Sequence, residues 1–578
     1  MENTDIANLF STIADLLEIS GDNPFRIRSY RNGARTIEGL PYSLISVVER
    51  DEAGLEEIPG IGKGLHEKIV EILKTGKCSL YDELLKKLPP TLLDLLDIPG
   101  LGPKKIKVLY EGAGIKTMDA LEKAAKEGRL RAFPGMGEKS EANILLSIEA
   151  VRKRSGRSNI SKALAKAEAL VGYIKGIPGV TRAIHAGSLR RWKETIGDID
   201  ILVACADALE VMEKFVTHPE VERVLAKGET KSSALFANHL QVDVRVIDEK
   251  SFGAALQYFT GSREHNVALR LRAKKRGLKI SEYGVFSEKD GSRVAGKEEA
   301  DIYKAIGLPC IVPQLREGRG EIEAAESMKL PDLIQPNQIR GDLHMHTTWS
   351  DGRDSIEEMA EEAMKRGYEY IAITDHSRAV GIAHGLNEER LLKQMEEIDR
   401  VNDRIRKTAS PFTLLKGSEV DIMADGTLDL DHSVLEKLDF VIGAIHSGFT
   451  MTEKEMTDRI IKGISTGLIN VIAHPTGRLI NRREPYAVNL KKVFDAAKEH
   501  GTAMEINSHP YRLDLKDIHC RQAVESGLYV SIATDSHNRK QMENIIYGIN
   551  TAQRGWVEAE SVINTKKPGD LREFLKRG

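Results

Sequence analysis

From residue 341 onward, short and mostly apolar runs each end on a metal-type side chain. They are Asp342-Leu-His-Met-His346, Ile371-Ala-Ile-Thr-Asp-His376, Leu414-Leu-Lys-Gly-Ser-Glu419, Val441-Ile-Gly-Ala-Ile-His446, Val471-Ile-Ala-His474, Ala503-Met-Glu-Ile-Asn507 and Val530-Ser-Ile-Ala-Thr-Asp-Ser-His537. Helical stretches separate them, which predicts a parallel βα architecture. Seven strands with functional groups at their C-terminal ends predict an active site at one mouth of a βα barrel. A single histidine at a strand end is ordinarily a hydrogen-bonded structural residue; repetition over successive strand ends points to metal instead. His344/His346 and Asp535/His537 are spaced i, i+2, so each pair projects together from an extended strand end. An imidazole and carboxylate set without cysteine suits Zn²⁺, Mn²⁺ or Fe²⁺. His384, His432, His500, His509 and His519 lack this placement and read as surface or loop residues, with His384 a candidate substrate contact.

Charge divides the chain in the same way. The net charge is −3, yet residues 101–200 carry 20 Lys/Arg against 11 Asp/Glu, and residues 351–450 carry 12 against 21. A basic segment can meet a polyanion, and an acidic one can hold divalent cations; two solvated surfaces of opposite sign is the plainer alternative. Eleven of the 16 histidines follow residue 340. The four cysteines, Cys78, Cys205, Cys310 and Cys520, form no CxxC pattern, which argues against a disulfide scaffold or a cysteine-rich zinc module and fits a reducing, cytoplasmic setting. With no run of eighteen apolar residues and no signal-peptide pattern at the start, no membrane association is expected.

A chain of 578 residues is too long for one core. Helical periodicity covers residues 1–160, mixed helix and strand follow, and a polar stretch with Pro331 and Pro336 reads as a linker over 321–340. In the helical part a motif recurs three times within 82 residues: Ile58-Pro-Gly-Ile-Gly-Lys63, Ile98-Pro-Gly-Leu-Gly-Pro-Lys104 and Phe133-Pro-Gly-Met-Gly-Glu-Lys139. The glycines (Gly60 and Gly62, Gly100 and Gly102, Gly135 and Gly137) permit a tight hairpin whose N–H groups face outward beside a helix N-terminus, a geometry suited to phosphate. This resembles the helix-hairpin-helix motif, which grips nucleic-acid backbones without reading sequence.

Between these regions, Gly187-Ser-Leu-Arg-Arg191 precedes Gly197-Asp-Ile-Asp-Ile201. In a strand, Asp198 and Asp200 point the same way. Asp243 lies in Gln241-Val-Asp-Val-Arg245, where Val242, Val244 and Val246 line one face. A lone DxD is commonly a solvated strand; a third acid on a second strand and an upstream Gly-Ser with arginines favour a pair of hard divalent ions serving in-line phosphoryl transfer.

These residues, with Tyr258-Phe-Thr-Gly-Ser262, Asn266, Arg270 and Tyr283, resemble the nucleotidyltransferase palm and thumb of family X DNA polymerases, the family of polymerase beta. The resemblance covers about residues 1–320. It implies metal binding by Asp198, Asp200 and Asp243, with Mg²⁺ or Mn²⁺ as the ion. It further implies nucleotide binding by Gly187, Ser188, Arg191, Gly197, Tyr258, Phe259, Gly261 and Asn266, and DNA contacts by Arg245, Arg270 and Tyr283. In the first domain, Lys68 matches the lysine that forms a Schiff base with a 5′-deoxyribose phosphate, and Tyr30-Arg31 also fits; the lysine expected one turn earlier is Gly64 here. Lyase chemistry and a simple phosphate contact both remain open for Lys68, because a lyase needs an amine of depressed pKa.

The C-terminal region is similar to the PHP phosphoesterases, a distorted (β/α)7 barrel with a multinuclear metal centre. That likeness implies His344, His346, Asp351, His376, Glu419, His446, His474, Asp535 and His537 as ligands of two or three divalent ions, with Asp351 in a slot that is histidine in some members. The implied layout is a multidomain α/β chain. Residues 1–85 form a helical lyase-like domain, 86–155 a helical DNA-binding domain, 156–250 the palm, 251–320 the thumb, 321–340 a linker and 341–578 the PHP barrel. This order matches the bacterial and archaeal type of family X polymerase. It implies a cytoplasmic monomer that fills short gaps in primed duplex DNA from deoxynucleoside triphosphates, with a barrel acting as 3′-5′ exonuclease, abasic-site endonuclease or 3′-phosphatase. The competing readings are a DNA-binding repair scaffold with one working centre and a PHP phosphatase for a small metabolite; no expected ligand is missing from either centre.

Overall fold

The computed structural model describes residues 3–576 except 39–43, 45–46, 49–51, 57, 59, 97, 99–100, 134–135, 156, 238–239 and 409. Gly100 and Gly135 therefore lie outside the described residues. The chain divides into two compact units, residues 1–155 and 156–578.

The first unit is helical. One apolar cluster runs from Ile6 through Leu65 and Leu109 to Ile148, so the two helical domains expected on either side of residue 85 share a core. Gly62 and Gly102 take extended backbone at the N-caps of helices Lys63–Thr75 and Pro103–Ala113, and Gly76 and Gly114 close those helices in the left-handed conformation.

In the second unit, strands β1 (Val180–His185), β2 (Asp198–Cys205), β3 (Val221–Lys227), β4 (Lys231–Phe236) and β5 (Leu240–Ile247) form a mixed sheet in the order β1-β2-β5-β4-β3. Helices Phe252–Thr260 and Arg263–Lys274 follow, then a three-stranded antiparallel sheet over Leu278–Ala295. The barrel strands are β6 (Gly341–Asp342), β7 (Tyr370–Ile373), β8 (Thr413–Asp421), β9 (Phe440–Ala444), β10 (Val471–Ile472), β11 (Ala503–Asn507) and β12 (Val530–Ala533), parallel and in sequential order. A parallel bridge between Met345 and Ser536 brings the first and last together, so the barrel is nearly closed. Their side chains are buried on both faces, as expected of parallel strands covered by helices.

Residues 321–340 differ from a solvated tether. Glu321–Glu326 is a helix, and its first residue, fully buried, accepts a 2.7 Å bond from His265. Leu333 bridges to Glu558, and Ile334 is buried in the barrel core. Isolated apolar residues in a polar stretch suffice to anchor it. The barrel also packs on the palm: Ile480 and Leu513 join the palm's apolar cluster, and Asn159 donates to the Pro510 carbonyl at 2.7 Å.

Candidate active sites in the palm and the barrel

Strands β2 and β5 run parallel with Asp200 opposite Asp243 and Asp198 opposite Gln241. The pleat puts Asp198 and Asp200 on one face, and register brings Asp243 beside them. Asp198 is exposed, Asp200 half-buried and Asp243 buried, while Val242 and Val244 face the core. Gln241 Nε2 donates to Asp243 Oδ1 at 2.8 Å, and Lys231 Nζ lies 3.4 Å from Oδ2. Burial, reinforced by repulsion from Asp198 and then Asp243, pushes the Asp200 carboxyl up to about 6. Three carboxylates whose mutual repulsion is only partly relieved fit a hard divalent cation.

The loop before β2 passes close to these acids. Gly187 has φ +63°, a conformation that favours glycine, and a Cβ there would lie 2.6 Å from Asp200 Oδ2. The Ala186 N–H donates to the Asp200 carbonyl at 2.8 Å. Ser188 follows in the one-turn helix Gly187–Arg190, and Gly197 passes Arg157, whose Nη1 would sit 3.1 Å from an added Cβ. Arg190 forks onto Glu299 at 2.9 and 2.8 Å, whereas Arg191 reaches Glu317 at 2.9 Å and the Thr260 carbonyl at 2.7 Å.

On the adjoining helix, Tyr258 and Phe259 meet edge to face at 5.1 Å, and the Arg245 guanidinium lies 4.5 Å over the Phe259 ring. Asn266 is buried: its Nδ2 donates to the Tyr258 carbonyl at 2.6 Å and its Oδ1 accepts from Gln257 at 2.8 Å. A Cβ on Gly261 would come within 2.7 Å of that same Oδ1. Arg270 Nε reaches the Asn266 carbonyl at 3.3 Å, and Tyr283 is exposed.

In the first unit, Gly60 has φ +89° and needs to be glycine. Gly62, at φ −88° and ψ 172°, does not: any residue adopts that conformation, and a Cβ there meets nothing within 4 Å. Gly102 and Gly137 likewise open onto free space. Lys68 donates to Glu71 and to Ser79, both at 2.7 Å.

The barrel gathers all nine expected ligands. Among the described residues, His346, Asp351, His376 and His537 form one group with mutually close ligand atoms, His344, His346 and Asp535 a second, and His376, Glu419 and His446 a third. His474 Nε2 lies 3.0 Å from Glu419 Oε1. His344 and His346 turn their Nε2 atoms to within 3.3 Å of each other, with Asp535 Oδ1 3.1 Å from that of His346. His376 Nδ1 and Glu419 Oε2 are buried 2.8 Å apart, yet neither has an aligned hydrogen bond. Buried polar atoms converging without hydrogen-bond geometry fit divalent ions.

Electrostatics follow the same logic. Burial disfavours a charged His446, but Glu419 and Asp421 overcome it and hold the ring up to about 9; burial also opposes a charged His537, which Asp351 raises to about 9. His346 falls to about 3 through burial and repulsion from His537 and His376.

Behind the ligands stands Glu505, a residue the sequence reading passed over. Its Oε1 is 2.6 Å from His344 Nδ1, and its Oε2 accepts the His474 N–H at 2.7 Å. Its position two residues before Asn507 on β11 was the available signal. Asp421 serves His446 in the same way at 3.2 Å, and Arg512 Nε lies 3.3 Å from Asp535. Carboxylates placed like Glu505 and Asp421 orient imidazole rings and raise their basicity. His384, His432 and His500 are exposed. His509 and His519 are partly buried, and burial lowers both to about 4; the Asp535 carboxylate bears on His509, which lies beside the centre rather than on the surface.

Family models match residues 1–78 as a helix-hairpin-helix domain, 92–150 as a SAM-like helix-hairpin-helix tandem, 255–317 as a DNA polymerase beta thumb and 342–509 as a PHP domain. A probable phosphatase of Thermoanaerobacter sp. (strain X514) is 30% identical over 247 residues, 41% of this chain and 94% of its own. DNA polymerase lambda of Rattus norvegicus is 24% identical over 344 residues, 54% of this chain and 56% of its own. The DNA polymerase/3'-5' exonuclease PolX of Bacillus subtilis (strain 168) is 39% identical over 580 residues, spanning 100% of both chains. With its palm acids, its thumb and its barrel ligands in one continuous match, this chain belongs to the PolX family of DNA polymerase/3'-5' exonucleases.

Proposed function

We infer that the protein is a DNA-directed DNA polymerase of family X that fills short gaps, carrying a PHP barrel that hydrolyses DNA in the 3′-5′ direction. The observation that carries the polymerase half is the parallel register of Asp200 with Asp243, beside Gly187, where a Cβ would crowd Asp200. Asp198, Asp200 and Asp243 would hold two Mg²⁺ or Mn²⁺ ions. Ser188 and Arg191 would take the triphosphate, and the Tyr258–Phe259 pair would wall the sugar pocket. Asn266 would reach the base edge, a role that requires its amide to leave the partners it has here. The outward-facing Gly62, Gly102 and Gly137 would admit a phosphate backbone, alongside Gly60, Gly100 and Gly135 of the same hairpins, with Arg245, Arg270 and Tyr283 as further DNA contacts.

In the barrel, the nine ligands would hold two or three ions, with Zn²⁺, Mn²⁺ and Fe²⁺ the species their chemistry suits. Bound there, the ions supply positive charge to phosphate oxygens and acidify water. Glu505 fixes the tautomer and direction of His344, and Asp421 those of His446. Exonuclease, abasic-site endonuclease and 3′-phosphatase chemistry all use this donor set. Lys68, held by Glu71 and Ser79 at 2.7 Å each, would serve as a phosphate contact or, released from them, as a Schiff-base amine. No helix among the described residues is long and apolar enough to cross a membrane, which fits a cytoplasmic protein; we take it as monomeric.

A labelled primer on a one-nucleotide gap, incubated with and without deoxynucleotides under Mg²⁺ and Mn²⁺, tests both halves. Extension with nucleotides and shortening without them is expected. Neither reaction would leave only a binding scaffold, and activity confined to small phosphoesters would leave a metabolite phosphatase.

A further inference from the structure

Arg191 is not held by the palm and thumb alone. The Glu317 oxygen that accepts its Nε at 2.9 Å also accepts Arg554 Nη1 at 2.9 Å. That same Arg554 nitrogen donates to the backbone carbonyl of Arg191 at 2.6 Å. Arg554 ends the barrel helix Ile545–Arg554, and Asp517 accepts its Nη2 at 2.7 Å while accepting Arg319 at 3.0 Å. Arg554 and Glu317 are almost wholly buried, with side chains 4% and 9% exposed.

We propose that Arg554 is a positioning residue for nucleotide addition, supplied by the barrel: it shares the Glu317 carboxylate and fixes the Arg191 backbone, so that the Arg191 guanidinium is free to be presented to the incoming triphosphate. This rests on the reading of Arg191 as a triphosphate contact. Glu317 is the rival of the triphosphate for Arg191. With Arg554 in place, the carboxylate's charge is divided between two guanidinium groups, with Lys193 3.8 Å away; without it, more of that charge falls on Arg191. Burial works against ionisation of Glu317, and Arg554, Arg191 and Lys193 together overcome it. A lysine could not substitute, because one planar fork here reaches a carbonyl, Glu317 and Asp517 together. Arg190, whose fork is spent on Glu299, stands outside this arrangement.

The test is single-nucleotide insertion on gapped DNA by the full-length protein, with hydrolysis of a labelled 3′ end measured in parallel. Arg554→Gln should raise KM for the nucleotide roughly tenfold, mid-range for residues coupled in one network. It should leave kcat and barrel hydrolysis near wild type, and Arg554→Lys should recover only part of the loss. In a Glu317→Gln background, Arg554→Gln should add little. An undiminished effect in that background would overturn the proposal, as would parallel losses of insertion kcat and hydrolysis, which would make Arg554 a strut of the fold. Arg191→Ala separates the two levels. If it raises KM while Arg554→Gln does not, this inference alone fails; if Arg191→Ala leaves KM unchanged, the reading of Arg191 falls and takes this one with it.

Discussion

In the palm, three carboxylates stand on two neighbouring strands of an open sheet, with Asp198 exposed and Lys231 Nζ 3.4 Å from Asp243. In the barrel, His344, His346, Glu419, His474 and Asp535 are no more than 5% exposed, and every acid has an imidazole within reach. The palm is a partly exposed acidic patch. The barrel centre is buried, with imidazoles interleaved among its acids.

The largest expected effects separate the two sites. Asp243→Ala, or Asp198→Ala with Asp200→Ala, should reduce primer extension to background while sparing hydrolysis and DNA affinity, which comes mainly from phosphate contacts. His344→Ala with His346→Ala should do the reverse. Because the barrel shares apolar packing with the palm through Ile480 and Leu513, circular dichroism and thermal melting must accompany both. Hydrolysis lost in the palm variant and kept in the histidine variant would assign nuclease chemistry to the palm and break the comparison.

Glu505→Gln tests whether the cage depends on its backing. It replaces the carboxylate that meets His344 Nδ1 and the His474 backbone N–H while leaving all nine expected ligands in place, and should cost hydrolysis or metal affinity about 10–100-fold. Extension should be unchanged. Wild-type hydrolysis would show that the ligand rings need no such support.

Proton competition sharpens the contrast on the palm side. The raised Asp200 carboxyl stays protonated until pH passes about 6, and the proton must leave before a cation binds. Between pH 7 and pH 5, apparent Mg²⁺ affinity of the palm should therefore fall roughly tenfold, the arithmetic of one titrating group. Isothermal titration of the His344→Ala/His346→Ala protein in two buffers of different ionisation heat would read it. A flat profile would mean that Asp200 is already ionised at pH 5.

The smallest effect concerns the hairpins. Gly62→Val introduces a side chain into free space in a backbone conformation valine adopts readily. It should leave thermal stability unchanged and weaken gapped-DNA binding roughly fivefold, equivalent to about 1 kcal/mol for one phosphate contact. Gly60→Val should instead destabilise the first unit, since φ +89° is closed to valine. Unchanged gap affinity in Gly62→Val would remove that hairpin from the DNA interface.

Much of both sites was legible because the signals are local. Alternation along one strand put Asp198 and Asp200 on one face and His344 beside His346, and apolar runs ending on ligands announced seven barrel strands. The linker reading failed for a local reason too: composition averages over a stretch, whereas Glu321 and Ile334 anchor it individually. Glu505 sat in plain view two residues from Asn507, but a glutamate within a buried parallel strand carries no mark of what it faces.

The sequence by itself determined the fold class and the identity of the candidate ligands, because strand periodicity, turn glycines and donor types are written within a few residues of each other. Tertiary structure alone decided which acid backs which histidine, that Asp200 lies opposite Asp243, and that Arg191 is gripped from a position 363 residues away. Such pairings depend on how strands register and how the barrel docks on the palm, and those distances leave no periodic trace along the chain.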